Sequence, residues 1–275
     1  MGTKIDGRLI ADSIIHSLQK RTAMLVSQGI TPTLVVILVG NNPSSLAYIR
    51  QKEKIGKKIG AKFILHHFQE SVLEKEIMAL IKKYNTDSTI HGIIVQIPLP
   101  PGFDTASMIR IIRAEKDVDG FLSGSLYPQP VAEAVLRTLE SVNPLWHKTS
   151  LICVVGRGHT AGKPIAAFLA KKGGHVTVVH RQTPNPEEIL KSSDIVISCV
   201  GKPSVITSAD IKKGAIVIGV GLHQEQGTLK GDYDEQDMAK KALYYTPTPG
   251  GVGPVNVACL WENVLMACEQ SDHTA

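Results

Sequence analysis

Four polar side chains in the first half of the chain have the types and positions needed for proton transfer. Tyr48 and Lys52 are spaced i, i+4 in a predicted helix, so both lie on one helix face. Gln96 is the last polar residue of an apolar strand, and Asp119 lies in the turn 116–120. Ligands of open α/β sheets bind beyond the carboxyl ends of strands, where Gln96 would point. A lysine partly removed from water beside a tyrosine hydroxyl and this amide would have a lowered pKa and could exchange protons with a ligand.

Each of these residues also has a purely structural interpretation. Tyr48 and Lys52 are compatible with an exposed helical pair, and Gln96 with a side chain that satisfies backbone groups at a strand end. Asp119 precedes Gly120, and Asp-Gly is a common turn sequence. The residue pattern alone leaves both interpretations open.

A glycine-rich turn follows a predicted strand in the second half of the chain. The apolar run 151–155 leads into Gly156, Gly158 and Gly162, then into an apolar helix and a strand at 176–179. This order is typical of a dinucleotide-binding crossover, in which glycines let the backbone approach a pyrophosphate at the helix N-terminus. The alternative is that these glycines only allow the strand and the helix to pack closely.

The charges around this turn favour NADP over NAD. An NAD site usually has an acidic residue at the end of the second strand, to hold the ribose hydroxyls. Here that strand ends in His180 and Arg181, and Arg157 lies inside the turn. Guanidinium groups bind phosphate well, so the two arginines indicate a 2′-phosphate site. Solvated surface charges are the alternative.

Helices and strands alternate through both halves, which is typical of α/β proteins with parallel sheets. The predicted strands span 33–39, 62–68, 92–97, 151–155, 176–179, 195–200 and 215–220. Besides the helix after the glycine-rich turn, the predicted helices span 8–28, 44–59, 73–84, 130–142, 186–191, 208–213 and 255–269. We predict two domains, each a mainly parallel sheet with flanking helices. Residues 1–142 plus 255–275 would form a catalytic domain, and residues 143–254 a Rossmann-type NADP-binding domain.

Composition excludes several classes of protein. The 275 residues carry a formal net charge of +5, which suits an anionic ligand but forms no basic stripe for nucleic acid. No apolar run reaches the roughly 18 residues of a membrane span, and the first residues lack the apolar core of a signal peptide. The four cysteines have no metal-ligand spacing, so we expect reduced thiols, no bound metal and a cytoplasmic location.

Six segments together resemble the bifunctional methylenetetrahydrofolate dehydrogenase/methenyltetrahydrofolate cyclohydrolase family, in the family's order and over nearly the whole chain. The joint pattern is far more specific than any one segment. The six are Gly40-Asn41-Asn42-Pro43-Ser44-Ser45 with Tyr48-x-x-x-Lys52, Val95-Gln96-Ile97-Pro98-Leu99-Pro100, Lys116-Asp117-Val118-Asp119-Gly120, Gly156-Arg157-x-x-x-x-Gly162-x-Pro164, Val200-Gly201-Lys202-Pro203, and Pro249-Gly250-Gly251-Val252-Gly253-Pro254.

The resemblance implies an enzyme of one-carbon metabolism with two activities. It would oxidise 5,10-methylene-tetrahydrofolate with NADP and hydrolyse the resulting 5,10-methenyl compound to 10-formyl-tetrahydrofolate. Lys52 would be the general acid/base of the hydrolysis, with Gln96 bonded to it. Tyr48 would stack on the folate, and Asp119 would anchor the pterin; these four residues would form the catalytic group.

The resemblance also implies binding residues and partners. The expected partners are tetrahydrofolate derivatives, with or without polyglutamate tails, and a second copy of the chain in a homodimer. Neither nucleic acid nor a membrane is implied. The residues expected to bind the cofactor are Gly156, Arg157, Gly158, Gly162, His180, Arg181 and Leu222, and those expected to meet the substrate, besides Tyr48, Gln96 and Asp119, are Pro249, Gly250, Gly251, Val252, Gly253 and Pro254.

The chain departs from the family at several positions around the cofactor and folate. The usual Pro-Cys-Thr-Pro segment is replaced by residues 127–130 in a shortened stretch, Val255 and Asn256 replace Met-Thr, Gly158 replaces Ser, and Gly219 replaces Asp. Two alternatives therefore remain: a cyclohydrolase with weakened or lost dehydrogenase activity, and a non-catalytic folate or nucleotide binder. A shikimate-type dehydrogenase would share the architecture but would not explain the segments 95–100 and 249–254.

Overall fold

In the computed structural model, which describes residues 1–272, apolar runs form strands and amphipathic runs form most of the intervening helices. The strands are β1 (Thr3–Lys4), β2 (Thr33–Val39), β3 (Lys62–Phe68), β4 (Gly92–Val95), β5 (Leu151–Val155), β6 (His175–Val179), β7 (Ile195–Ser198), β8 (Ile216–Gly219), β9 (Leu222–Glu225), β10 (Thr228–Gly231) and β11 (Tyr244–Tyr245). The helices are α1 (Gly7–Ser27), α2 (Pro43–Ile59), α3 (Glu74–Thr86), α4 (Thr105–Arg110), α5 (Pro130–Glu140), α6 (Trp146–Thr149), α7 (Gly162–Lys171), α8 (Pro186–Ser192), α9 (Glu235–Met238) and α10 (Val252–Asp272), with 3-10 turns at Ala114–Lys116 and Ser208–Asp210.

The first sheet has three parallel strands in the order β3-β2-β4. Its central strand, β2, is buried along its whole length, as expected for a β-branched run inside a parallel sheet. Ile37 on β2 lies opposite His66 on β3 and Val95 on β4. The three strands therefore end at one edge of the sheet, and Gln96 follows the last residue of β4 at that edge.

The second sheet has six parallel strands in the order β1-β11-β8-β7-β5-β6. Cys153 on β5 lies opposite Thr177 on β6 and Val196 on β7, so the glycine-rich turn follows an interior strand that lies next to the edge strand β6. With α7 and α8 between the strands, this is the Rossmann-type arrangement. The predicted α/β fold with two mainly parallel sheets is confirmed.

The described residues divide by their contacts into two units. One contains residues 1–12 and 131–256, and the other residues 13–130 with the C-terminal residues from 257. This division differs from the sequence prediction, which placed residues 1–12 and 131–142 with the catalytic domain. Part of the reason is strand pairing, because Thr3 and Lys4 extend the six-stranded sheet by pairing with Tyr244 and Tyr245.

The predicted strands 33–39 and 62–68 match β2 and β3 residue for residue. The helix predicted over 208–213 is wrong in type, since only a 3-10 turn forms there, closed by a capping box between Thr207 and Asp210. The last helix is longer than predicted at both ends, because it begins at Val252, inside the glycine-rich segment, and runs to Asp272. The hairpin of β9 and β10 was not predicted, since it has little apolar alternation.

Two further expectations concern membranes and thiols. No helix in residues 1–272 is long and apolar enough to cross a bilayer. Cys153, Cys259 and Cys268 are buried, and Cys199 is partly buried.

Candidate functional site

Helix α2 carries two of the predicted catalytic residues. Asn42 caps its N-terminus, where the side-chain oxygen accepts hydrogen bonds from the N–H groups of Ser44 and Ser45 at 3.0 and 3.1 Å. Lys52 lies on the buried face of this helix, and Tyr48, one turn earlier, is half-buried. The alternative of an exposed Tyr48–Lys52 pair is therefore wrong.

Lys52 and Gln96 are brought together from α2 and the end of β4. The Lys52 Nζ donates a hydrogen bond of 3.0 Å to Gln96 Oε1, and the two residues are only 8% and 9% exposed. The other end of the amide is also fixed, because Gln96 Nε2 donates to the backbone oxygen of Ile97 at 2.9 Å. Gln96 thus presents its carbonyl oxygen, and not its NH₂ group, to the lysine.

The charges of Lys52 and Asp119 are coupled. Burial lowers the pKa of Lys52, and the negative charge of Asp119 opposes that shift. Burial raises the pKa of Asp119, an effect that Lys52 opposes and the neighbouring Asp117 strengthens. Both shifts favour the neutral forms, and a neutral lysine amine is a base that can accept a proton.

Tyr48 contributes an aromatic ring with a protonated hydroxyl. Burial raises the pKa of Tyr48, so the phenol keeps its proton at neutral pH. Such a ring can stack on a flat ligand while the hydroxyl donates a hydrogen bond.

Helix α10 forms hydrogen bonds to the backbone next to the predicted catalytic residues. The sequence did not predict these bonds. Trp261 Nε1 donates a 2.8 Å hydrogen bond to the backbone oxygen of Lys52. Asn263 Nδ2 donates to the backbone oxygens of Val118 at 2.8 Å and Pro128 at 2.9 Å. One helix therefore fixes both the backbone of Lys52 and the turn that carries Asp119. The available signal was an asparagine followed by the apolar run Val264-Leu265-Met266-Ala267.

The shortened segment 127–130 lies beside this turn. A Cβ atom on Gly120, the residue after Asp119, would be 2.8 Å from the backbone oxygen of Tyr127 and the nitrogen of Gln129. The Tyr127 hydroxyl also donates to the backbone oxygen of Glu115 at 3.2 Å. The replaced segment therefore packs directly against the aspartate turn.

The glycine-rich turn has the close backbone contacts that its glycines predict. Gly156 has a positive φ of 104°, and a Cβ on Gly162 would lie only 2.1 Å from the Gly156 backbone oxygen. Glycine is needed at both positions so that β5 can pass directly into α7. Gly158 differs, since a Cβ there would meet nothing within 4 Å. Packing therefore does not require glycine at position 158.

Arg157 is directed towards the end of β6. Its guanidinium lies 3.5 Å from His180 Nε2 and donates a 3.2 Å hydrogen bond to Gln182. Arg181 is exposed in the same turn. The structure thus brings Arg157 and His180 together, and Gln182 is a further member of the group that the sequence prediction left out. This basic group and the glycine turn suit a phosphate-bearing dinucleotide.

Asp232 organises a second turn of the nucleotide unit and was also missed. Its buried carboxylate accepts hydrogen bonds from the Ser198 hydroxyl at 2.6 Å and from the backbone N–H groups of Val200, Gly201 and Lys202 at 2.7–3.0 Å. Leu222 lies beside this turn, because a Cβ on Gly201 would be 2.9 Å from its backbone oxygen. The sequence did not predict this role, because a single aspartate after a short hairpin belongs to no periodic pattern of apolar residues.

The segment Pro249–Pro254 joins β11 to α10. The backbone oxygen of Gly250 accepts a 2.9 Å hydrogen bond from the N–H of Gly7. A Cβ on Gly251 would lie 2.7 Å from the Thr246 Cβ and from the Pro247 oxygen. The segment therefore packs closely against the residues that precede it. Val252, Gly253 and Pro254 form the first turn of α10.

Within residues 1–272 there is no group of three or more histidine, cysteine, aspartate or glutamate side chains that could hold a metal ion.

Comparison with known families matches both parts of the chain. Residues 5–119 match the model of the tetrahydrofolate dehydrogenase/cyclohydrolase catalytic domain, and residues 130–272 match that of the family's NAD(P)-binding domain. The chain belongs to the tetrahydrofolate dehydrogenase/cyclohydrolase family.

Relatives and solved structures of the family cover almost the entire chain. The bifunctional protein FolD of Nautilia profundicola is 38% identical over 97% of this chain and 97% of its own length. The crystal structure of the bifunctional FolD of Campylobacter jejuni is 32% identical with a TM-score of 0.93, covering 98% of this chain and 99% of that one. The FolD of Trypanosoma brucei, solved with NADP and an inhibitor, is also 32% identical with a TM-score of 0.93, covering 98% of each chain.

Proposed function

We propose that this member of the family is a bifunctional enzyme that oxidises 5,10-methylene-tetrahydrofolate with NADP and hydrolyses the methenyl product to 10-formyl-tetrahydrofolate. The observation that carries the proposal is the buried Lys52, which is bonded to Gln96 and electrostatically coupled to Asp119. A buried lysine with a lowered pKa would be costly to maintain for structure alone.

In the hydrolysis, Lys52 serves as the base and then as the acid. Its neutral amine accepts a proton from water while the water oxygen bonds to the bridging carbon of the methenyl cation. The ammonium then donates that proton to the ring nitrogen as its bond to carbon breaks, and the carbinol hydroxyl releases its proton to solvent. Gln96 keeps the amine in place, Tyr48 stacks on the folate, and Asp119 binds the polar edge of the pterin.

In the oxidation, the chain's residues position the reactants. NADP, when bound, accepts the hydride that leaves the bridging carbon, and a folate nitrogen lone pair assists its departure. We assign the pyrophosphate to the turn of Gly156, Gly158 and Gly162, and the 2′-phosphate to Arg157, His180 and Arg181. Leu222 and the segment Pro249–Pro254 are assigned to the nicotinamide and substrate side. The support for this assignment is that Arg157 lies 3.5 Å from His180 and 3.2 Å from Gln182, so the basic group gathers at the end of β6.

The unit of residues 13–130 and the C-terminal residues from 257 is, in this proposal, the folate-binding and hydrolytic unit. It contains Tyr48, Lys52, Gln96 and Asp119. The unit of residues 1–12 and 131–256 contains the glycine turn and is the NADP-binding unit.

A spectrophotometric assay tests the proposal. Methylene-tetrahydrofolate is supplied with NADP or NAD, reduction of the cofactor is followed, and then the decay of the methenyl absorbance. We expect NADP-dependent reduction followed by accelerated decay. Accelerated decay of supplied methenyl compound without reduction of either cofactor would instead establish a cyclohydrolase that has lost the dehydrogenase. Ligand binding without any turnover would establish a non-catalytic binder.

We also propose that the enzyme is a homodimer. The support is strand β3, which pairs with β2 on one side only among the described strands and exposes 39% of Leu65. Light scattering after gel filtration should give twice the chain mass, and Leu65→Glu should shift it to one chain. Leu73→Glu, at an exposed leucine outside the strands, is the control. A monomeric parent protein contradicts the proposal.

Polyglutamylated folates are proposed as substrates, and the cytoplasm as the location. The net charge of +5 supports the first, because polyglutamate tails are anionic. A lower KM for pentaglutamate than for monoglutamate substrate would test it. The thiols of Cys153 and Cys199, which are not in disulfides, support the cytoplasmic location. Cell fractionation would test it.

A further inference from the structure

Gly219, one of the positions that depart from the family pattern, ends strand β8 beside a buried tyrosine. A Cβ atom at position 219 would lie 3.0 Å from Cε1 and 3.2 Å from the hydroxyl oxygen of Tyr233. Any side chain at 219 would therefore push against the Tyr233 ring, which is only 8% exposed. The glycine and the tyrosine are sterically matched, since the missing side chain leaves the room that the ring fills.

The Tyr233 hydroxyl completes a closed group of hydrogen bonds with Thr246. It donates to the Thr246 backbone oxygen at 2.7 Å and lies 3.1 Å from the Thr246 hydroxyl. The Thr246 hydroxyl in turn accepts from the N–H of Gly219 at 2.8 Å. With the threonine proton directed to the tyrosine oxygen, every donor in this buried group has an acceptor.

Thr246 is the first residue of the segment that leads to Pro249–Pro254. Its Cβ is one of the atoms against which Gly251 packs so closely that a Cβ there would lie 2.7 Å away. Two residues after Tyr233, Glu235 accepts a 2.8 Å hydrogen bond from the N–H of Thr248. Tyr233 and Glu235 therefore fix the start of the segment at two points.

We propose that Tyr233 is a positioning residue for the dehydrogenase step, whose hydroxyl fixes Thr246 and through it the segment Pro249–Pro254. This inference rests on the proposed function, which assigns that segment to the nicotinamide and substrate. In this proposal, the tyrosine holds the end of β8 from the neighbouring segment at the position where glycine replaces the aspartate of the family pattern. Burial raises the pKa of Tyr233, so the hydroxyl keeps the proton that it donates.

The variant Tyr233→Phe keeps the ring and removes the hydroxyl. We expect kcat of the dehydrogenase to fall about tenfold, because Thr246 and the segment after it are held less precisely, with the Kd of NADP unchanged. The cyclohydrolase rate of the same sample should not change, because Lys52, Gln96 and Asp119 belong to the other unit. That rate also reports the fraction of folded protein. Tyr245→Phe removes the same hydroxyl from another buried tyrosine of the same core cluster and should leave both rates as they are.

A second variant separates positioning from simple destabilisation. Thr246→Val removes the hydroxyl that links Gly219 to Tyr233, so its dehydrogenase loss should not add to that of Tyr233→Phe in the double variant. Equal loss of both activities in Tyr233→Phe, or fully additive losses in the double variant, would overturn the inference. So would an unchanged dehydrogenase kcat in Tyr233→Phe while the parent enzyme is active. A parent protein without either activity would overturn the proposed function itself.

Discussion

At the scale of single residues, Lys52 combines burial with a neutral hydrogen-bond partner. An ion pair in direct contact would keep a buried lysine charged, whereas Gln96 offers only an amide oxygen at 3.0 Å. Asp119 acts on the lysine through its charge and limits the fall of the pKa. Burial, Gln96 and Asp119 together adjust the pKa of the Lys52 amine, so that the amine can gain and lose a proton during one turnover.

Replacing Lys52 by methionine keeps the apolar stem and removes the amine. We expect the cyclohydrolase rate to fall on the order of a thousandfold, while the Kd of NADP stays within about twofold of the parent value. Lys54→Met, at an exposed lysine of the same helix, is the matched control and should retain the rate. Unchanged hydrolysis in Lys52→Met would remove this residue from its role.

The lowered pKa of Lys52 also predicts the pH dependence of the hydrolysis. The base form exists above the pKa, so lowering the pKa from 10.5 moves the rising limb of the rate profile to lower pH. Removing the negative charge with Asp119→Asn should lower the pKa further and move this limb to still lower pH. Rates over a pH series for both proteins check the direction, and a shift to higher pH would contradict it.

The arginines of the nucleotide turn should discriminate between the two dinucleotides. Arg157→Ala and Arg181→Ala should each raise the Kd of NADP about tenfold or more and leave that of NAD nearly unchanged, because only NADP has the 2′-phosphate. Lys171→Ala, at an exposed cation of α7, is the control. Equal losses for both cofactors would show that the arginines do not contact the phosphate.

At the scale of elements, the contact between α2 and α10 sets the position of the lysine. Gly56 faces Trp261 so closely that a Cβ would lie 2.4 Å from Cζ2 of the ring. Alanine favours helices over glycine by about 1 kcal/mol, so Gly56→Ala would stabilise an isolated helix.

In the folded protein we expect the opposite sign for Gly56→Ala. Overpacking against the indole should lower the free energy of unfolding by about 2 kcal/mol and also reduce the cyclohydrolase rate. Urea unfolding measures the first and the methenyl assay the second. Gly124→Ala, where a Cβ meets nothing within 4 Å, is the control. A higher free energy of unfolding for Gly56→Ala than for the parent protein would show that α2 and α10 can move apart at little cost.

The same elements show what sequence reasoning could and could not predict. The strands β2 and β3 were predictable because long β-branched or apolar runs rarely form anything but buried strands. Gln96 was predictable as a site residue because a polar side chain at the end of an apolar strand is unusual. Trp261 and Asn263 were not, since their hydrogen bonds reach backbone groups far away in the chain. The same is true of Asp232, whose partners are mostly backbone N–H groups of another turn.

At the scale of the whole molecule, His91 should cause part of the fall in the free energy of unfolding at acid pH. Its buried ring accepts a hydrogen bond from the N–H of Thr33 at 3.1 Å. Burial, assisted by the charge of Lys116, lowers the pKa of His91 from 6.5 to about 4. Between these values the unfolded chain binds more protons than the folded one, so stability is complete above pH 6.5 and falls as the pH drops towards 4.

The size of this effect is about 3 kcal/mol over the whole interval. His91→Asn keeps an acceptor for the Thr33 N–H but does not titrate, so the free energy of unfolding should vary less between pH 6.5 and 4. Urea unfolding over a pH series measures this slope. His16→Asn, at an exposed histidine, should keep the slope of the parent protein. Identical slopes for the parent and His91→Asn would contradict the assignment.

The position of α10 in the chain has a consequence for protein synthesis. Lys52 and the aspartate turn leave the ribosome first, whereas Trp261 follows Lys52 by 209 residues and Asn263 follows Val118 by 145 residues. The nascent chain therefore completes its sheets before its acid–base pair is held in place. A ribosome that stops before codon 261 would release a chain that lacks both supports, so we expect termination there to yield protein without the hydrolase activity.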